Sequence, residues 1–495
     1  MSFKDRQIKT PLFSGLLEHT QSSPVQFHIP GHKHGEGMDP EFKKFIGPNA
    51  LSIDLINITP LDDLHHPHGI IKEAQDLAAE AFGADHTFFS VQGTSGAIMT
   101  MIMSVCGPGE KILIPRNVHK SIMAAIIFSG ATPIFLHPEL DEELGISHGI
   151  TIESVKRALQ AHSDAKGLLV INPTYFGISA NLEEIVRLSH SFYIPVLVDE
   201  AHGVHIHFNE NLPVSAMQAG ADMAATSVHK LGGSLTQSSV LNLQGDRVSY
   251  LRVQSTISML TTTSTSYILL ASLDTARRYL AMDGHNELDK VIQLSEVVRE
   301  NINTIPGISC PGKEILNERA IYDMDPTKLI ISIKDLNISG YEVEKWLRKK
   351  ANIEVELSDL YNILCIVTMG DSQKTMNQLL HALRELSNEF YQEGQDKLSP
   401  IKVQVPNIPI LSLSPRDAFY AETELIKLSK SAGRISAEFI MIYPPGIPIF
   451  IPGEIIEQDN LDYIYTNMEA GLPVQGPEDP TLTHIRVIRE RKAII

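Results

Sequence analysis

The chain has 495 residues, 43% of them hydrophobic and 20% charged, the balance of a globular protein long enough for about three domains. A formal net charge of −18, with no Lys/Arg-rich block, argues against nucleic acid and anionic membranes as partners. Cys106, Cys310 and Cys365 are too scattered for a disulfide framework or a zinc site, no apolar run reaches membrane-spanning length, and the opening MSFKDRQIKTPLFSG carries no signal core. A reducing cytoplasm is expected.

Residues 1–60, rich in Pro, Gly and His, read as an irregular N-terminal arm. A large domain follows over 61–270. GIIKEAQDLAAEAFG predicts a helix ending at Gly83, HTFFSVQG a strand, GAIMTMIMSVC a buried helix and EKILIPR a strand. SIMAAIIFSG, TPIFLH, AKGLLVINPTYFG, LEEIVRLSHSF, IPVLVDEAHG and ADMAATSVHK continue the alternation. Short alternating units of this kind predict an α/β fold with a mainly parallel central sheet covered on both faces. A linking helix and a small α/β domain occupy 271–395, with helices in SGYEVEKWLRKK and TMNQLLHALRELSNEFYQ. EGQDKLSP reads as a linker, and 401–495 form a further C-terminal domain rich in Pro and Gly.

Three motifs carry chemistry. In VQGTSGA a strand ends, Gly93 turns the chain, and Thr94 and Ser95 precede a helix. Free N–H groups and the positive end of the helix dipole make such a turn a phosphate seat, although Ser and Thr also suit an ordinary N-cap. In VLVDEAHG an apolar strand delivers Asp199 to its C-terminal end, where open α/β sheets place ligands; a helix cap or a metal ligand is the alternative use. The following HIHF puts His205 and His207 on one side of a strand, without a third ligand at useful spacing, so no metal is expected. In SVHKLGGSLTQSS, Lys230 stands among small uncharged neighbours, where its amine is open to a carbonyl. A phosphate seat, a strand-end acid and a lysine, in that order, match pyridoxal 5'-phosphate, which needs an anion site, an acid at its ring nitrogen and an amine.

The same stretches, with FHIPGHKHG, LDDLHHPHG, PRNVHKS, NPTYFG, LTTTSTSY and YPPGIPIFIPGE, make the chain resemble the Orn/Lys/Arg decarboxylases, within them the short biosynthetic arginine decarboxylases of Gram-positive bacteria. The resemblance runs over nearly the whole length. It implies the aspartate-aminotransferase type of fold (fold type I), pyridoxal phosphate as cofactor, and decarboxylation of arginine to agmatine in polyamine biosynthesis, with lysine or ornithine as the alternative substrates. It implies that Lys230 is the Schiff-base lysine, Asp199 the partner of the ring nitrogen, and His119 the histidine that stacks on the ring. Thr94, Ser95, Ser227 and His229 become phosphate contacts. His202 lies beside the ring, at a position where relatives often carry Trp. Thr262 or Thr263 reaches the phosphate of a neighbouring subunit. Lys230 or His229 returns a proton to the substrate's α carbon.

For the distal cation of the substrate the candidates are Asp62 and Asp63 in LDDLHHPHG, where an Asx turn is equally natural, and Glu354, Glu356 and Asp359 in IEVELSD. Strand alternation would put Glu354 and Glu356 on one face, which is equally a solvent face. YPPGIPIFIPGE, with four prolines, suits a rigid lip over a site or a structural strand pair, and Glu454 is a further candidate. The larger relatives carry an additional N-terminal domain that is expected to be missing here, so a homodimer or dimer of dimers is expected. Aminotransfer or aldol cleavage, and a non-catalytic binding role, are the competing classes; the intact Asp199, His119 and Lys230 weigh against the last.

Overall fold

The structure, a computed structural model, describes residues 2–317, 319–394, 407–442, 447–469, 472 and 474–490. Most of the expected linker and the start of YPPGIPIFIPGE, residues 443–446, lie outside them. The described chain forms two compact units, each discontinuous in sequence: 1–105 with 189–290, and 106–188 with 291–495.

In the first unit the arm is not irregular. It contains helices Phe3–Gln7, Pro11–Gln21, Pro40–Ile46 and Pro48–Ser52. Three of them begin at a proline, whose fixed φ and missing N–H suit the first helical turn; the prolines that suggested an irregular arm are helix starts. A buried pair on the helix Tyr267–Ile302 anchors the first two. Asp274 Oδ2 accepts from Leu12 N at 3.0 Å and Phe13 N at 3.2 Å, while Arg277 donates to the carbonyls of Gln7 and Lys9, both at 2.6 Å. One ion pair thus serves the end of one helix and the start of the next.

Four strands of this unit run in the order His86–Ser90, Ser239–Leu243, Met223–Thr226, Val196–Asp199. The last two are parallel, with Asp199 opposite Ala225. Ser239–Leu243 is antiparallel to both of its neighbours. The chain between helix Val228–Leu231 and Ser239 is too short for a crossover, so the strand must return antiparallel. The C-terminal ends of three strands and the start of the fourth therefore share one edge. HIHF is no strand: Ile206–Phe208 is a single 3-10 turn. His205 is buried, and His207 bonds to Ser215 Oγ at 2.9 Å beside Phe82 and Phe208; burial pushes its pKa down to about 4.

In the second unit, strands Gly167–Ile171, Lys111–Pro115 and Thr132–Leu136 are parallel neighbours, joined through helices Lys120–Ser129 and Ile152–Ala161. A three-stranded antiparallel sheet, Lys328–Ser332, Asn362–Ile366 and Leu357–Ser358, packs with helices Gly340–Trp346 and Gln373–Phe390 around Leu329, Ile331, Ile363 and Leu383. The C-terminal strands Thr423–Lys427, Ile440–Ile442, Ile447–Phe450 and His484–Ile488 close a separate core around Phe450, Ile464 and Ile485 with helix Gln458–Glu469.

Candidate functional site

At the shared edge of the first unit the side chains converge. The strand His86–Ser90 ends, Gly93 takes φ +68°, which favours glycine, and the helix Gly93–Val105 starts. Gln237 holds this turn: its carbonyl accepts from Gly93 N at 2.9 Å and its Nε2 donates to Val91 O at 2.6 Å. Thr94, buried on the first turn, shares hydrogen bonds with the hydroxyls of Ser227 and Ser239, the latter at 2.8 Å. Ser95 follows it, half-buried. The expected phosphate seat is thus a helix N-terminus ringed by hydroxyls.

Ser227 ends the next strand, and the helix Val228–Leu231 carries Lys230. Lys230 Nζ donates to His202 Nε2 at 2.6 Å. His229 Nδ1 donates to Ser238 O at 2.8 Å. Asp199 ends the adjacent strand; its Oδ1 accepts from Ala201 N at 3.1 Å. Burial pushes its pKa up to about 6 against the opposing pull of that N–H and of Lys230. Next to it Glu200 is buried as well and raised to about 7, chiefly by desolvation; it accepts from Ala216 N at 2.7 Å and Thr226 Oγ1 at 3.1 Å.

This donor set fits pyridoxal phosphate. A buried carboxylate that burial holds above its ordinary range gains from a cationic ring nitrogen beside it. The hydroxyl ring and helix start take a dianion, and an accessible amine stands one turn away. Ser239 is absent from the sequence-derived set, because only the antiparallel return of its strand brings it to this edge.

The remaining expected residues are placed as follows. His119, in the second unit, is the N-cap of helix Lys120–Ser129, its Nδ1 accepting from Ser121 N at 3.2 Å; a neutral ring then carries its hydrogen on Nε2. Thr262 is exposed on the loop after helix Tyr250–Leu260, and its carbonyl meets His65 Nε2 at 3.1 Å. Asp62 corrects one expectation: it is no open acid. Its carboxylate accepts N–H groups of Asp63, His68, Gly69, Ile71 and Lys72, capping the helix Ile70–Phe82. Burial raises its pKa, but these bonds outweigh it and hold the carboxyl below its usual range. Asp63 accepts from His65 N at 3.0 Å, an Asx turn. Glu354 and Glu356 do not alternate on a strand, since the strand covers only Leu357–Ser358. Glu354 is exposed and paired with Arg348 at 2.8 Å, whereas Glu356 accepts from the Tyr175 hydroxyl of NPTYFG. Asp359 is buried and receives Tyr361 N and Asn362 N, both at 2.8 Å.

Residues 10–375 match the family model for the Orn/Lys/Arg decarboxylase major domain, and 404–474 match that for the Orn/Lys/Arg decarboxylase C-terminal domain. The chain belongs to the Orn/Lys/Arg decarboxylase family. As a decarboxylase of this family it uses pyridoxal phosphate. It is 69% identical to an arginine decarboxylase of Bacillus anthracis and 70% identical to one of Halalkalibacterium halodurans, over 99% of both chains in each case. An arginine decarboxylase of Bacillus subtilis is 67% identical over the same shares. Among solved structures, the lysine decarboxylase LdcF of Francisella novicida superposes with a TM-score of 0.83 at 23% identity, covering 98% of this chain and 82% of that one. Serine palmitoyltransferase of Sphingomonas wittichii follows with a TM-score of 0.54 at 18% identity, covering 72% and 86%. The fold is that of the type I pyridoxal-phosphate enzymes, with a mainly parallel central sheet. Among the described residues no helix is long and apolar enough to cross a membrane.

Proposed function

We propose that this decarboxylase acts on L-arginine, releasing CO2 and agmatine for polyamine biosynthesis. The observation that carries the reading is the gathering of Asp199, Lys230 and three hydroxyls at one sheet edge in a chain 67–70% identical to proteins named arginine decarboxylase. When bound, the cofactor supplies the electron sink for the bond broken at the substrate's α carbon.

The chain's residues bind, orient and move protons. Lys230 would hold the cofactor covalently, and His202 fixes where its amine lies. Asp199 would keep a proton on the ring nitrogen. Thr94, Ser95, Ser227 and Ser239, with the helix start behind them, hold the phosphate, and His229 braces the same turn. His119 would contact the ring, the role the family resemblance implies for it. Lys230 or His229 delivers a proton to the α carbon. For the distal cation, Asp62 is filled by five N–H groups, Glu354 is paired with Arg348, Asp359 is buried under two N–H groups and Glu454 is paired with Arg116; Asp63, with the N–H of His65, and Glu356, with the Tyr175 hydroxyl, keep the most acceptor capacity. Removing the charge of the true anchor, by Asp63→Asn or Glu356→Gln, is expected to raise the arginine KM by about 10–100-fold, as for a lost charged hydrogen bond, and the other substitution to leave it nearly unchanged.

Thr262 serves the phosphate of a second copy in a homodimer or dimer of dimers. Leu251 and Met259, exposed on the helix just before it, give that copy apolar surface to cover. Sedimentation of the intact enzyme as a monomer would contradict this. Free cysteines, two of them buried, suit the cytoplasm.

The deciding assay offers arginine, lysine and ornithine side by side. Agmatine and CO2 from arginine are expected; release from lysine or ornithine alone would overturn the substrate, and a keto-acid product would overturn the reaction.

A further inference from the structure

Helix Lys120–Ser129, whose N-cap is His119, is gripped at both ends from the C-terminal region. Ahead of it, Arg116 follows the strand Lys111–Pro115 and is almost fully buried. Its guanidinium makes a two-pronged pair with Glu454, Nη1 to Oε1 at 2.6 Å and Nη2 to Oε2 at 2.8 Å. The same group donates to Pro448 O at 3.0 Å and Ile449 O at 3.3 Å and lies 4.5 Å from the centre of the Phe135 ring. Glu454 Oε2 also accepts from Ile451 N at 2.9 Å, so the pair is bound on both sides. Only Asn117 and Val118 separate Arg116 from His119.

At the far end, Arg416 donates from Nε to Ile127 O at 2.8 Å and from Nη2 to Phe128 O. These are carbonyls of the last turn, which have no partner inside the helix and sit at its negative end. Gly130, at φ +72°, closes the helix against this guanidinium: a Cβ there would lie 2.6 Å from Arg416 Nη1. Both Arg416 and Glu454 fall within the C-terminal domain match.

A buried ion pair is a poor means of stabilising a fold, since apolar side chains of similar size often do as well. What a rigid bidentate fork supplies is fixed geometry. We propose that Glu454, Arg116 and Arg416 form a two-ended clamp through which the C-terminal domain sets the position of His119. They are positioning residues, and the link to the cofactor rests on the role proposed above for His119.

Hydrogen–deuterium exchange of the full chain without cofactor tests the clamp, and the cofactor dissociation constant tests its link to His119. In Glu454→Gln and in Arg416→Ala, amides of 120–129 are expected to exchange at least about tenfold faster while those of 223–243 keep their rate. Cofactor affinity is expected to fall about fivefold. The double variant Arg116→Met with Glu454→Met is expected to regain the thermal midpoint lost in Glu454→Gln without regaining slow exchange at 120–129. Unchanged exchange at 120–129, or equal acceleration of both units, overturns the clamp. Faster exchange with unchanged cofactor affinity overturns the link to His119. If His119→Ala also leaves that affinity unchanged, the proposed role of His119 fails while the clamp stands.

Discussion

Asp62 and Asp199 are both buried aspartates of the same unit, and they have opposite characters. Asp62 is surrounded by backbone N–H groups of Asp63, His68, Gly69, Ile71 and Lys72, which hold it ionised below the usual carboxylate range. Asp199 accepts from Ala201 N, and burial pushes it up to about 6. Burial alone therefore does not mark a functional acid. The distinction is whether the fold has already satisfied the charge: Asp62 is complete as folded, whereas Asp199, in the role proposed above, would be stabilised by a cation the cofactor brings.

Substitutions sharpen the contrast. The largest effect is expected from Asp199→Asn, which removes the proposed partner of the ring nitrogen. Decarboxylation should fall by about 100-fold or more, the scale of a lost electrostatic catalytic group, measured as CO2 release at saturating cofactor. Asp62→Ala should do the reverse. It leaves several buried N–H groups unpaired and should lower stability by about 2–4 kcal/mol in urea unfolding, with turnover per folded molecule unchanged.

The pH dependence separates them again. A carboxyl raised from its ordinary 3.8 to about 6 binds more protons folded than unfolded. Without cofactor, Asp199 should therefore cost the fold stability as pH rises through the interval from about 4 to 6, reaching about 3 kcal/mol above it. Asp199→Asn should remove that share of the decline and leave the share of Glu200, which burial raises to about 7. Asp62 has the opposite sign. Its contribution is complete above the unfolded-state pKa and is lost as pH falls through its lower folded value, so wild type should lose more stability in acid than Asp62→Asn. The smallest effect is expected from Ser239→Ala, which removes one hydroxyl of the proposed phosphate seat and should weaken cofactor binding about 5–10-fold, as for one net hydrogen bond.

Much of this edge was legible in the sequence because strand-to-helix junctions announce themselves. Apolar runs stop, Gly93 or Ser227 follows, and Thr94, Asp199 and Lys230 stand at the stops. Ser239 was not legible, since its place depends on a strand returning antiparallel, which residue pattern does not encode. The arm was misread because Pro11, Pro40 and Pro48 start helices instead of breaking them. Glu354 and Glu356 were misread because alternation was assumed for a stretch that is strand only at Leu357 and Ser358. Asp62 remained open between anchor and turn until its five donors could be counted.

The chemistry stands or falls on one covalent attachment. Reduction of the cofactor-loaded enzyme with borohydride, followed by peptide mass mapping, should leave a single pyridoxyl group on the peptide that contains Lys230. A pyridoxyl group on another lysine, or none on any, would contradict the site described for this decarboxylase.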